Sequence, residues 1–213
     1  GRVTPYNFSL GGSDRVLEEQ DVRVVAISTD DEIIIIIRAP LSWATDALVV
    51  STARKLEALT GVNYSENIII AATHSHSQPG RYWNLVSDRF GVAGHGLYSP
   101  EMADRYADSF ARAAKLALDD LRPAKVGWEI VEDFDPQRRI HSDRRGENPE
   151  ILDDRLLVMR IEELDGTPMA GIVNLSIHGT HMSETWITGD VAGAIEVEAT
   201  HGVSALAGRP VPV

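Results

Sequence analysis

The chain has 213 residues, 43% of them hydrophobic, 24% charged and none of them cysteine. That length suits one domain or one and a half, and the lack of cysteine excludes a disulfide framework, a cysteine-held zinc, an iron–sulfur cluster and a thiol nucleophile. Twenty Lys and Arg against 32 Asp and Glu leave a net charge of −12, which argues against a nucleic-acid binder or docking on an anionic membrane, since both need a basic surface.

Residues 1–20 carry Pro5, Gly11 and Gly12 and hold no period, so they read as a loop. Val22 to Ser28 and Ile33 to Arg38 are predicted strands around an Asp30-Asp31 turn, and Pro40 stops the second. The run Ile33–Ile37 is the longest apolar stretch, far below the ~20 residues of a membrane span. Ser42 or Thr45 caps a predicted helix whose apolar face uses Val49, Ala53 and Leu56, and Gly61 ends it. Asn67 to Thr73 is the next strand. The order strand–strand–helix–strand is an α/β signature, and the nearly continuous apolar strands predict a sheet covered on both faces.

Residues 74–98 are irregular, which inside a domain points to function. Ser99-Pro100 opens a second helix, with Met102, Tyr106, Phe110, Ala113, Ala117 and Leu121 on one face and Pro123 as its stop. Val126, Trp128 and Ile130 alternate as in a strand. Residues 133–154 are irregular and carry Arg138, Arg139, Arg144 and Arg145. Leu156–Ile161 and Met169–Ile177 are predicted strands joined around Asp165-Gly166, and a last helix starts near Asp190. The expected fold is α/β: a mixed, largely buried sheet flanked by helices, with ligand loops at strand carboxyl ends.

Four of the seven histidines fall in two short segments, Thr73–Gly80 and Ile177–His181, each following an apolar strand. Loops at strand ends are where open α/β sheets bind ligands. His74 and His76 are two apart, which on extended backbone puts both rings on one side. Imidazole is a zinc ligand, and catalytic zinc takes about three protein ligands plus an open position. A pair of loop histidines bonded to carbonyls is the competing reading. His178 alone reads as structural, and Asp190 as a helix N-cap. The arginines at 138–145 read equally as a substrate clamp or a solvated basic loop. Tyr82 and Trp83 either line an apolar pocket or pack the loop down. His95 and His141 look like bystanders, and His201 structural.

The segment Asn67–Gly80, ending Thr73-His-Ser-His-Ser-Gln-Pro-Gly80, resembles the Thr-His-Thr-His-Ser-Gly-Pro-Gly segment of the neutral/alkaline non-lysosomal ceramidases. Further pieces follow in order. Leu59–Val62 resembles the family's helix end, Gln137-Arg138-Arg139 its Asn-Arg-Ser-like segment, and Gly171–Thr180 its strand ending in His-Gly-Thr. Asn148-Pro149 and Asp153-Asp154 lie between, and Asp190–Gly193 resembles its Asp-x-x-Gly. The likeness covers most of residues 20–200. It implies a zinc amidase that splits an N-acyl amide, ceramide or a related lipid, into fatty acid and amine. It further implies His74 and His178 as zinc ligands, with a Glu and a Tyr further on. His76 would stand beside the metal, and Arg138 or Arg139 would bind the reacting group. Secretion or a periplasmic location goes with the resemblance.

The sequence departs from that pattern at Gln78, where the family has Gly, and at Arg81. It lacks the Gly-Asp-Val-Ser-Pro-Asn segment with the reactive serine, and the downstream Glu and Tyr. Residues 1–213 are therefore expected to be the N-terminal part of one catalytic domain continuing beyond Val213, its partner being the remainder as the same or a separate chain. Two other readings stand beside this one: a relative acting on another acyl ester or amide, and a non-catalytic binding domain that kept the scaffold.

Overall fold

The computed structural model describes residues 13, 15–83, 98–140, 152–182 and 186–213. Along them run eight strands and three helices: β1 (Arg15–Val16), β2 (Arg23–Ser28), β3 (Ile33–Ala39), α1 (Asp46–Thr60), β4 (Ile68–Ala72), α2 (Pro100–Asp119), β5 (Lys125–Val131), β6 (Leu156–Glu162), β7 (Pro168–Leu175), β8 (Trp186–Ile187) and α3 (Asp190–Ala207). They divide into two units. One is Gly1–Leu121 with Gly179–Gly193; the other is Arg122–His178 with Ala194–Val213.

In the first unit β3 is the central strand, antiparallel to β2 and parallel to β4. β-branched residues suit a pleated, half-buried surface, and Ile35, Ile37, Ile68 and Ile70 present one buried row. Leu48, Ala53 and Leu56 of α1 and Ala107, Phe110, Ala111 and Ala114 of α2 join them in one core. Burying each large apolar side chain there contributes about 1.5–3 kcal/mol. Thr45 caps α1 by accepting the Leu48 N–H, and Gly61 closes it at φ 75°, a left-handed turn that glycine adopts without a Cβ clash.

Three details differ from the sequence reading. The second face of the sheet is only partly covered: Ile34 and Ile36 of β3 are half-buried and Ile69 of β4 is 50% exposed. The buried face of α2 keeps Phe110 but otherwise uses Ala107, Ala111 and Ala114 rather than Ala113 and Ala117, because small residues let a helix approach its neighbours closely. Residues 1–20, read as a loop, include β1, which pairs in parallel with β8, a strand the sequence reading did not assign, Arg15 with Trp186 and Val16 with Ile187.

The second unit holds an antiparallel sheet, β5–β6–β7, with Val126 opposite Ile161 and Met159 opposite Ile172. Alternation correctly marks β5 as a strand; it lies at an edge of the sheet and every residue of it is exposed. The fold is mixed α/β as expected, with its strands arranged in three sheets. Pro212 of the C-terminal segment accepts the Gly171 N–H of β7. Among the described residues, no helix is long and apolar enough to cross a membrane.

Candidate metal centre

Beyond the end of β4 the chain turns sharply at His74, whose φ is 59°. Non-glycine residues held in the left-handed region cost of order 1–3 kcal/mol and concentrate at functional sites. The surroundings hold His74 there. Its Nδ1 lies 2.5 Å from the Ser42 carbonyl oxygen; a carbonyl only accepts, so Nδ1 carries the proton and Nε2 keeps its lone pair. The next residue, Ser75, is fully buried; its carbonyl accepts from Ser42 Oγ and its own hydroxyl donates to the Thr188 carbonyl.

His76 then brings its Nε2 to 3.4 Å from that of His74, with the rings edge to face at 88°. The two rings do meet, but the left-handed turn at His74 achieves this, not the extended backbone expected from the spacing. Two imidazole nitrogens bound to one tetrahedral zinc at ~2.0–2.1 Å lie about 3.3 Å apart. The pair therefore fits the metal in nitrogen type and spacing, and His74 in tautomer also.

A web of buried polar groups fixes this turn, and burial of such groups costs free energy unless each finds a partner. Gln78, only 2% exposed, donates to the Thr188 carbonyl and to Gln20 Oε1. Glu18 accepts from Thr188 Oγ1 and from the Gly189 N–H. Gly189 is required by space, since a Cβ on it would stand 2.7 Å from the Gly193 Cα, and a Cβ on Gly193 would displace the Glu18 carboxylate, 2.9 Å away.

Tyr82 packs the loop down, as one of its two sequence readings has it. Its hydroxyl donates to the Trp43 carbonyl, and Tyr106 donates to that of Pro79. Trp83 stacks edge-on against Trp43. Burial pushes the Tyr82 hydroxyl up to about 12, and burial, with Tyr82 beside it, raises Tyr106 also. An unfolded tyrosine ionises near pH ~10. The stability these hydroxyls contribute is whole below that pH and is lost as pH climbs through the folded value of about 12, because only the unfolded chain has released its protons in between. Urea unfolding from pH 9 to 12 should show a loss of roughly 2–3 kcal/mol attributable to Tyr82. Tyr82→Phe should flatten that slope; an unchanged slope would contradict the assignment.

Gly179 lies against the same turn. Its carbonyl accepts the His76 N–H at 3.1 Å, and a Cβ on it would fall 2.7 Å from the His74 carbonyl oxygen. His178 precedes Gly179 by one peptide bond, so its Cα is held ~3.8 Å from a glycine seated on the histidine turn. The strand before it, β7, stops at Leu175, two residues earlier than the sequence reading had it. Asp190 is the first residue of α3 with φ 57°. It does not cap that helix in the usual way; its carboxylate reaches back to the N–H groups of His181 and Met182.

Arg138 and Arg139 sit in the second unit on an exposed turn built on buried Asp135. The Asp135 carboxylate accepts the N–H groups of Arg139 and Ile140, and its carbonyl that of Arg138. Asp before Pro136 is a turn signal, so Asp135 was within reach of sequence reasoning; Glu18 and Gln20, in a stretch without period, were not. His201, expected to be structural, is exposed on α3. His95, His141, Arg144, Arg145, Asn148 and Pro149 lie outside the described residues.

The family described as "Neutral/alkaline non-lysosomal ceramidase, N-terminal" matches residues 21–206. The chain belongs to this family. Neutral ceramidase B of Dictyostelium discoideum is 27% identical over 150 residues, which is 65% of this chain and 20% of that protein. Neutral ceramidase A of the same organism is 26% identical over 138 residues, 60% of this chain and 19% of that protein. The chain thus spans about a fifth of the length of these ceramidase relatives. A solved structure titled "Ceramidase complexed with C2" superposes with a TM-score of 0.71 at 19% identity, covering 95% of this chain and 35% of that one. The neutral ceramidase from Pseudomonas aeruginosa gives 0.69 at 17% identity, over 94% and 37%. These likenesses show that the fold is that of the ceramidases. Against the family's pattern, Gln78 replaces a glycine and here serves as an internal anchor of the histidine turn.

Proposed function

We propose that this chain supplies two zinc ligands, His74 and His178, to a hydrolase that splits an N-acyl amide of the ceramide class into fatty acid and amine. The observation that carries the reading is the His74 ring, set by a left-handed turn with its Nδ1 held by the Ser42 carbonyl. His178 enters the reading through the family resemblance of its His-Gly-Thr segment, whose Gly179 lies against the His74 backbone. Membership of the ceramidase family supports the substrate class. The remaining ligands and the reactive serine of the family pattern come, on this reading, from beyond residues 1–213, and the same resemblance supports secretion or a periplasmic location.

When bound, zinc would polarise the amide carbonyl and lower the pKa of bound water to about 7. The chain's own part is to present one lone pair at His74 Nε2, fixed by the Ser42 carbonyl. His76 Nε2, beside it, is placed to take or return a proton at the reacting group. Arg138 or Arg139 would bind the developing negative charge. A second reading is favoured by the 3.4 Å separation: His76 itself binds the metal. His76→Ala separates the two. The first expects bound zinc retained with kcat lowered about 100-fold or more; the second expects the zinc to be lost.

The test of the reaction is release of fatty acid from matched acyl amides and acyl esters by the protein in its natural length, before and after chelation. Amide cleavage abolished by the chelator and restored by zinc is expected. Cleavage of esters alone would support the other acyl substrate class. Stoichiometric zinc without any turnover would support a binding domain.

A further inference from the structure

We infer that Asp190 is a positioning residue: its carboxylate holds the turn that follows His178, and through it sets the metal-binding histidine. The role rests on the zinc reading above. The Asp190 side chain is fully buried. Its oxygens accept the N–H groups of His181 at 3.1 Å, Met182 at 3.1 Å and Val191 at 2.6 Å. A buried carboxylate is tolerated only when paired or hydrogen-bonded, and bonds from N–H to an ionised oxygen are stronger than neutral ones. His181 Nδ1 lies 3.7 Å from Oδ1, beyond hydrogen-bond reach.

The backbone itself is bent to make this contact. Asp190 has φ 57°, and a helix-opening Asp ordinarily bonds forward to the N–H two or three residues on. Here it bonds backward across the chain. Thr188 supports the bend: its hydroxyl accepts the Asp190 N–H and donates to Glu18. The four residues 179–182 are thereby fastened at both ends. Gly179 is tied to the His76 N–H, and His181 and Met182 are tied to Asp190. His178 enters this clamped segment one peptide bond earlier. Its orientation depends on the clamp as a metal ligand's does on outer-shell partners, whose loss typically costs about 10–100-fold in affinity.

The test is a zinc titration against a chromophoric competitor, with the absorption spectrum of the Co²⁺-loaded protein as a second readout. Wild type, Asp190→Asn, Asp190→Glu and Thr45→Ala are compared. Asp190→Asn turns an acceptor into an amide donor facing N–H groups; about 10–100-fold weaker zinc binding and an altered cobalt spectrum are expected. Asp190→Glu keeps the charge at the wrong reach and should fall between. Thr45→Ala removes the α1 cap, destabilises the fold without touching the clamp, and should leave affinity and spectrum unchanged. If Asp190→Asn does not fold, Asp190→Glu carries the comparison. Wild-type affinity in the Asp190 variants, or equal loss in Thr45→Ala, overturns the inference while leaving the zinc reading intact. A wild-type protein that takes up no zinc overturns both.

Discussion

His74→Ala is expected to remove most of the bound zinc. On the zinc reading His74 would be the best-prepared ligand: its turn is held in the left-handed region, its Nδ1 is committed to the Ser42 carbonyl and its Nε2 faces that of His76. Deleting a ligand should cost more than the roughly 10–100-fold that outer-shell changes cost, so affinity should fall by at least about 100-fold. His201, exposed on α3, gives the control: His201→Ala should bind zinc as wild type does. Metal content after dialysis and competitive titration measure both. Equal loss in the two variants would mean that the ligand assignment is wrong.

Gly179→Ala should both destabilise the fold and weaken metal binding. The added Cβ would lie 2.7 Å from the His74 carbonyl oxygen, 2.9 Å from the Ser75 Cα and 3.0 Å from the His74 carbonyl carbon. All three are backbone atoms, so no side chain can swing aside and the two loops must part. Overpacking of this kind costs about 1–3 kcal/mol, and parting the loops strains the bond from the His76 N–H to the Gly179 carbonyl. Gly202→Ala makes the same chemical change on α3, where a Cβ meets nothing within 4 Å. There the better helix propensity of alanine should stabilise by about 0.5–1 kcal/mol. Opposite signs in urea unfolding are expected, with zinc affinity reduced only in Gly179→Ala; matched effects would contradict the close approach of the two loops.

What was legible in the sequence is what local chemistry determines. Thr45 and Gly61 bound α1, Ser99 and Pro100 open α2, and Gly166 marks the hairpin between β6 and β7. The histidine segments were visible because imidazole at strand ends has few other uses. What escaped depends on partners far apart in the chain. β1 and β8 are two residues each and pair across some 170 positions, too short for any periodicity to register. The turn at His74 is held by Ser42, and the buried web joins Glu18, Gln20, Gln78 and Thr188; no window of sequence contains such a set. Asp190 was read as a cap because helix-opening aspartates usually are, and only its bonds to His181 and Met182 reveal the other use.

X-ray absorption at the zinc edge of the metal-loaded protein tests the central claim most directly. The account predicts one zinc per chain with nitrogen neighbours at ~2.0–2.1 Å and the outer-shell scattering of at least two imidazole rings, reduced by one ring in His74→Ala. Zinc surrounded by oxygen alone, or an unchanged spectrum in His74→Ala, would contradict it.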